Sequence, residues 1–230
     1  MNKRCYRLRF NQHRGLLMAV AETATIAGKA PGSTQCLLAV VMLMLWSGCV
    51  SAQVVADKAA PGNQQATVMQ APNQTLLVNI QTPSAAGVSR NTYSQFDVPT
   101  QGVILNNARS AVQTQLGGWV AANPWLGSDP AKVILNEVNT VKASTLQGFI
   151  EVAGSRADVV VANPAGIRCD GCGFINASRA TLTTGMPVMK EGNLESYRVQ
   201  RGSISINGAG MDASSTDYTA LIARSMQINA

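Results

Sequence analysis

Histidine, cysteine, aromatics, charge and long apolar runs are all scarce in this 230-residue chain, and each scarcity excludes something. The single histidine is His13, so residues 53–230 contain none and Ser-His-Asp or Cys-His catalysis has no base there. Of five cysteines only Cys169 and Cys172 follow residue 52. Zinc takes about four N or S ligands, and two thiols without an imidazole do not supply them, so no metal and no cofactor is expected. Acidic residues are scattered, with no Asp-Asp or Asp-x-Asp pair, which disfavours a calcium-dependent polysaccharide lyase. Gly202–Gly210 is rich in glycine but lacks the Gly-Lys-Ser/Thr element of a phosphate loop. Charged residues make up 13%, against about a quarter in ordinary domains. The longest apolar run, Cys36–Trp46, has 11 residues, short of the 18 or so that span a bilayer.

The formal charge of +6 suggests a nucleic-acid partner until it is located. Residues 1–52 carry Lys3, Arg4, Arg7, Arg9, Arg14 and Lys29 against Glu22, a net +5. Residues 53–230 carry 12 basic and 11 acidic residues, a net +1. A nearly neutral body excludes a polyanion-binding domain of the usual kind, and no nucleic-acid partner is expected. The basic stretch followed by Cys36–Trp46 fits an export signal, whose apolar core needs about 7–15 residues. Val50-Ser51-Ala52 supplies small residues for a signal peptidase, so cleavage is expected between Ala52 and Gln53, after delivery to the general secretion machinery. A lipoprotein cut before Cys49 is disfavoured, because Trp46 stands where a small aliphatic residue belongs. The 35 residues before the apolar core exceed an ordinary basic region. They include a second short apolar run, Leu16–Ala21.

Beyond the leader, residues 53–74 are rich in Ala, Gln, Pro and Asn without periodicity and read as a flexible leading segment. Short β-branched runs then alternate with Asn, Gly, Pro and Ser clusters. Strands are expected over 75–80, 102–106, 132–138, 148–152, 158–162, 173–176, 180–183, 197–199, 203–206 and 221–228. No amphipathic helix of useful length is present. Many short strands allow a sandwich, a barrel or a parallel β-helix. Asn recurs at strand exits (Asn106, Asn136, Asn176 and Asn207), where a left-handed corner tolerates it. Scarce aromatics suit a narrow interior, so the pattern favours the β-helix without excluding a sandwich.

The sequence resembles a known family at several places. Met1-Asn2-Lys3, Tyr6-Arg7, Phe10-Asn11, Arg14-Gly15 and Val20-Ala21-Glu22 resemble the extended signal peptide of very large exported Gram-negative proteins. The stretch Val152–Pro187, with Asn163-Pro164-Ala165-Gly166-Ile167 inside it, resembles the haemagglutination-activity domain of two-partner secretion. Phe96-Asp97-Val98, Gly102–Asn107, Gln115–Gly118, Val133–Val138, Gly202–Gly210 and Leu221–Arg224 fit the same pattern, so the likeness covers residues 75–230.

That resemblance implies an all-β fold, a right-handed parallel β-helix (β-solenoid) with an N-terminal cap, expected in residues 75–100, preceded by the signal peptide. It implies a secretion module rather than an enzyme, recognised in the periplasm by the POTRA modules of a dedicated outer-membrane β-barrel transporter. The exported product would be secreted or held at the cell surface. Two motifs are associated with secretion in such domains, Asn-Pro-Asn-Leu and Asn-Pro-Asn-Gly-Ile. Here they read Asn123-Pro124-Trp125-Leu126 and Asn163-Pro164-Ala165-Gly166-Ile167, both departing at the third position. Either motif is a recognition element or a structural turn: Asn caps the turn, Pro fixes φ and Gly166 permits positive φ. Contact with a host or neighbouring cell, as adhesin, haemolysin or growth-inhibition toxin, is attributed to regions farther downstream. Adhesion by this segment itself is the alternative, through exposed Trp119, Trp125 or Tyr93. In an oxidising compartment Cys169 and Cys172 are expected to form a short-loop disulfide across a hairpin. Arg156, Arg168, Arg179 and Arg198 read as solvated faces. The chain stops just after a strand-like run, so a truncated product or a piece of a longer exoprotein is expected.

Overall fold

A computed structural model describes residues 53–127 and 129–230 in full, and in the leader the backbone of two strands. Contacts divide the chain into two units, 1–50 and 51–230. In the first, Tyr6–Asn11 pairs antiparallel with Leu16–Ala21, Tyr6 opposite Ala21.

The second unit is a parallel β-solenoid. Sheet I stacks Val88–Phe96, Val133–Val138, Ala157–Ala162, Ala177–Thr183 and Tyr218–Ile222. Sheet II stacks Leu76–Asn79, Val103–Asn107, Phe149–Gly154, Cys172–Ile175 and Met211–Asp212. Sheet III stacks Ser144–Leu146, Ile167–Cys169, Ser203–Asn207 and Ser225–Asn229. The chain visits the sheets in the order I, III, II and then climbs one rung. Val133 lies beside Asp158, Ser144 beside Ile167 and Ser203 beside Ser225, so an uninterrupted coil takes 22 to 25 residues.

Apolar residues alternate inward along these strands and meet their counterparts one coil away. Leu76, Val103, Ile150 and Phe174 form one column in sheet II; Ile134, Val159 and Ala180 form another in sheet I. The central core draws on all three sheets, for example Ile150, Val161 and Ile167, each at most 1% exposed. β-branched, Leu and Ala side chains fill most of the narrow tube, together with the buried aromatics Tyr93, Phe96 and Phe174.

All ten expected strand regions contain a strand, with 221–228 divided at Ala223-Arg224. Val88–Phe96 is the longest of several strands outside those regions, and Ser89, Arg90, Asn91 and Thr92 give it no apolar alternation. Its buried polar groups find partners instead. Asn91 Oδ1 accepts the Gln81 N–H at 2.9 Å, Ser89 Oγ donates to the Gln81 carbonyl, and Tyr93 OH donates to Asn136 Oδ1 at 3.1 Å. Of the strand-exit asparagines only Asn176 is left-handed (φ 57°); Asn106, Asn136 and Asn207 lie within strands.

Residues 53–74, expected to be flexible, are built into the fold. Val54–Ala56 pairs antiparallel with Val88–Phe96, and Thr67–Gln70 pairs antiparallel with Leu76–Asn79. These two short strands end sheets I and II at their N-terminal side, and Val54 and Ala66 enter the core. The cap therefore precedes residue 75: the strands at 76–79 and 88–96 are already parallel rungs.

Two insertions interrupt the coils. The hairpin of Val112–Thr114 with Gly118–Val120 follows a sheet II strand, and Val120, Leu116 and Val112 cover Leu77, Ile104 and Ala153 on that sheet's outer surface. The hairpin of Gly185–Lys190 with Asn193–Val199 does the same for sheet I, bringing Met189, Leu194 and Tyr197 onto Val88, Leu135, Val160 and Ala162. Outward apolar residues that a bare solenoid would leave wet are thereby buried.

Candidate functional site

Asn163-Pro164-Ala165-Gly166-Ile167 forms the corner between sheets I and III in the third coil. Asn163 is fully buried and all of its side-chain polar groups are used. Its Oδ1 accepts the Ala165 N–H at 2.9 Å, and its Nδ2 donates to the Lys142 carbonyl and to Ser144 Oγ, both at 2.9 Å. The Gly166 N–H closes the turn onto the Asn163 carbonyl at 3.0 Å, while the Asn163 N–H reaches the Thr183 carbonyl of the next coil at 2.9 Å. Gly166 sits at φ 124°, where a Cβ would come 3.1 Å from the Ser203 carbonyl oxygen. One turn thus ties together the coils before and after it. Ile167 continues into sheet III as a core residue.

Asn123-Pro124-Trp125-Leu126 repeats the same local chemistry elsewhere. Asn123 is buried, its Oδ1 accepts the Trp125 N–H at 2.9 Å, and the Leu126 N–H reaches the Asn123 carbonyl at 3.2 Å. Its Nδ2 donates to the carbonyls of Ile80 (2.9 Å) and Asn106 (2.8 Å), which belong to successive sheet II rungs. Leu126 enters the core, and Pro124 and Trp125 face outward, Trp125 being 45% exposed. The Trp125 indole N–H donates to Thr67 Oγ1 of the cap at 3.1 Å, and Thr82 Oγ1 donates to the Trp125 carbonyl at 2.7 Å. The turn therefore fastens the end of the first insertion to the N-terminal cap. The two motifs occupy different corners and are not brought together. Of the other surface candidates, Trp119 is exposed on the first hairpin, whereas Tyr93 is buried inside the solenoid and unavailable to a partner.

Cys169 and Cys172 stand with their sulfurs 1.93 Å and their Cα atoms 5.4 Å apart. The connection differs from the expected hairpin: Cys169 ends a sheet III strand, Cys172 begins a sheet II strand, and Asp170-Gly171 turns the corner between them. The next coil rests on this corner, with the Ala209 N–H on Asp170 Oδ1 (3.0 Å) and the Gly171 N–H on the Gly210 carbonyl (2.9 Å). Ala52 lies outside the described residues. Gln53 is exposed, and its carbonyl already accepts the Asp97 N–H at 3.0 Å.

The arginines expected to be solvated divide into two groups. Arg156 pairs with Asp217 at 2.9 Å, and Arg179 reaches Asp158 at 4.0 Å while lying over the Tyr218 ring. Arg168 and Arg198 make neither kind of contact. Burial pushes the Tyr93 phenol well above its ordinary pKa. Burial also raises Tyr197, with Arg179 opposing and Asp158 reinforcing the shift. Asp212 is lowered by hydrogen bonds from the Ser214 side chain and backbone. A structural carboxylate not foreseen is Glu151, nearly buried on the outer side of sheet II, which accepts the Gln115 and Leu116 N–H groups at 2.7 and 2.8 Å and clamps the first hairpin's turn. A lone Glu between Ile150 and Val152 carries no local signal of that role. Among the described residues no three of His, Cys, Asp and Glu converge as a metal site.

The sequence profile of the TPS secretion domain matches residues 52–230, and that of the extended signal peptide of the type V secretion system matches residues 1–48. The chain belongs to the TPS secretion domain family. As a TPS secretion domain behind such a signal peptide, it is a secreted or cell-surface module of a Gram-negative bacterium. The crystal structure of a filamentous hemagglutinin secretion domain superimposes with a TM-score of 0.67 at 36% identity, covering 75% of this chain and 56% of that one. Toxin CdiA of Yersinia pestis is 53% identical across all of this chain but only 8% of the relative's own length. The tRNA nuclease CdiA-2 of Burkholderia pseudomallei is 42% identical, again over the whole of this chain and 8% of the relative. The chain thus corresponds to less than a tenth of these relatives, and their toxin and nuclease names describe proteins far longer than this TPS domain.

Proposed function

We propose that this TPS domain starts export of a CdiA-type exoprotein by being captured in the periplasm by the POTRA modules of a dedicated outer-membrane β-barrel transporter. The general secretion machinery delivers it there, and removal of the leader between Ala52 and Gln53 frees the mature end. The observation that carries the reading is the coincidence, in one chain, of the extended signal peptide over 1–48 and the secretion domain over 52–230. The cleavage position is compatible with the fold, because the first strand of the cap begins at Val54, just after the cut. Any payload, and contact with a host or neighbouring cell, belongs to downstream sequence.

Within this reading the two Asn-Pro turns divide their labour. Asn123 and Asn163 hold the corners from inside, so their loss acts through folding. Pro124 and Trp125 present themselves to solvent, so their replacement acts on recognition. Each coil that folds outside the cell buries apolar surface and pairs the open edge of the one before, which opposes backsliding.

Titration of the mature chain with the purified POTRA modules of its outer-membrane transporter tests the proposal. A saturable one-to-one complex is expected, weakened by Trp125→Ala at unchanged circular dichroism. No heat or mobility change at high concentrations of both components would overturn it.

A further inference from the structure

Coils of a solenoid ordinarily touch only their neighbours, so stability adds up rung by rung. In sheet I the rungs run in the order Val88–Phe96, Val133–Val138, Ala157–Ala162, Ala177–Thr183 and Tyr218–Ile222, and these parallel rungs pair only with those directly beside them. The first hairpin keeps to this rule. It packs on Ile104 of the sheet II strand it follows and on Leu77 and Ala153 of the two strands alongside.

The second hairpin does not. It leaves sheet I directly after the fourth rung, yet its apolar side rests on Val160 and Ala162 of the third, Leu135 of the second and Val88 of the first. Its tip is seated just before the first rung, where Ser84 Oγ donates to the Gly192 carbonyl at 2.7 Å across 108 positions of sequence. Reach is sufficient: arms of six and seven residues extend about 20 Å, and three rung spacings take about 14 Å.

Local geometry serves the crossing. Lys190 pairs with Asn193 around Glu191 and Gly192, whose φ values of 51° and 77° are those of a type I′ turn. A Cβ on Gly192 would stand 2.9 Å from Ser84 Cβ, so the close seat also requires glycine. Glu195 is the extra residue of a bulge, which brings Leu194 and Tyr197 onto one face although they are three apart. On the other side Ser84 is fixed by its own turn. Its N–H donates to the Val88 carbonyl at 2.9 Å, and its Oγ accepts the Val88 N–H at 3.2 Å.

We propose that the hairpin Gly185–Val199 is a strap that locks the first four coils into one cooperative unit. Its tip reaches its seat only when residues 84 to 199 lie in one compartment with all four rungs stacked. Fraying of the fourth coil then costs the contact beside the first, which an unstrapped solenoid does not lose. On the export reading above, closure of the strap is the step after which emerged coils no longer slip back. That consequence rests on the export reading; the strap itself does not.

The test is native-state hydrogen exchange, resolved by peptide, on the mature chain with and without the strap. Gly192→Ala/Leu194→Ala unseats the tip. A second background replaces 186–198 by Gly-Gly, which bridges the paired residues Gly185 and Val199; the point variant decides where this deletion loses the fold. Into each goes Thr92→Val, which removes the first-rung hydrogen bond to Gln64 Oε1, a bond in which the hairpin has no part. Circular dichroism verifies each fold. In the strapped chain Thr92→Val is expected to speed exchange about fivefold, the worth of one hydrogen bond, over both 88–96 and 177–183. Without the strap the same change is expected to speed 88–96 alone, with 177–183 exchanging faster than 88–96 from the start. No effect at 177–183 in the strapped chain would overturn the cooperative unit. An equal effect there with and without the strap would show that the coils themselves carry the coupling, and would overturn the strap. Either result leaves the transporter reading intact.

Discussion

Asn163 illustrates how much one buried amide carries. Replacing it by Ala removes three side-chain hydrogen bonds and leaves the Ala165 N–H, the Lys142 carbonyl and Ser144 Oγ without partners. Unsatisfied buried groups cost roughly 1–3 kcal/mol each, so Asn163→Ala is expected to lose on the order of 3 kcal/mol, about 6–12 °C in Tm. Calorimetry checks this, and an unchanged Tm would refute the structural role. The Asn-Pro pairing was legible as a turn from residue types alone, because Asn and Pro have local backbone preferences. That Asn163 also bonds residues 142 and 144 was not legible, since it depends on which coil lies alongside. Tyr93 provides a pH test. Its folded pKa is raised by burial, whereas the unfolded phenol titrates near 10. The stabilisation is therefore complete below pH 10 and is lost as pH rises above it. Melting temperature should fall above about pH 10 in wild type and fall less in Tyr93→Phe, although that variant also gives up the bond to Asn136.

The elements differ in how visibly they are written. Strands at 133–138 and 157–162 have β-branched runs between turn formers and could be read directly. The 88–96 strand could not, because its polar groups are satisfied by Gln81 and Asn136 rather than by water. The cap at 54–70 was hidden for a related reason: it covers two sheet edges, so backbone pairing defines it more than apolar periodicity does. The first hairpin depends on Glu151. Glu151→Ala should leave the β-solenoid spectrum intact while amide exchange and proteolysis rise over 112–120; unchanged protection there would remove Glu151 from that role. The Cys169–Cys172 corner joins two sheets within four residues, and a disulfide in so small a ring contributes about 2 kcal/mol. Mature protein is expected to show no free thiols without reductant and two after unfolding with it. Two accessible thiols in the untreated, oxidatively exported protein would contradict the pairing.

At the scale of the whole molecule, charge arithmetic and motif density located the leader and the solenoid, because both are repeated or extended signals. That Lys142 and Arg224 fall in one column, three rungs apart, was not legible, since they are separated by 82 positions and aligned only by coil register. A body with an N-terminal cap, stacked rungs and outward hairpins is a scaffold that presents corners, in keeping with a TPS secretion domain. The most direct measurement is the amount of this chain that reaches the culture medium from cells that do or do not make its proposed outer-membrane barrel transporter, with the leader intact in both. Cleaved, folded chain in the medium only when the barrel is present is the predicted result. Equal release from cells lacking the barrel, with the periplasmic pool no larger, would contradict the account.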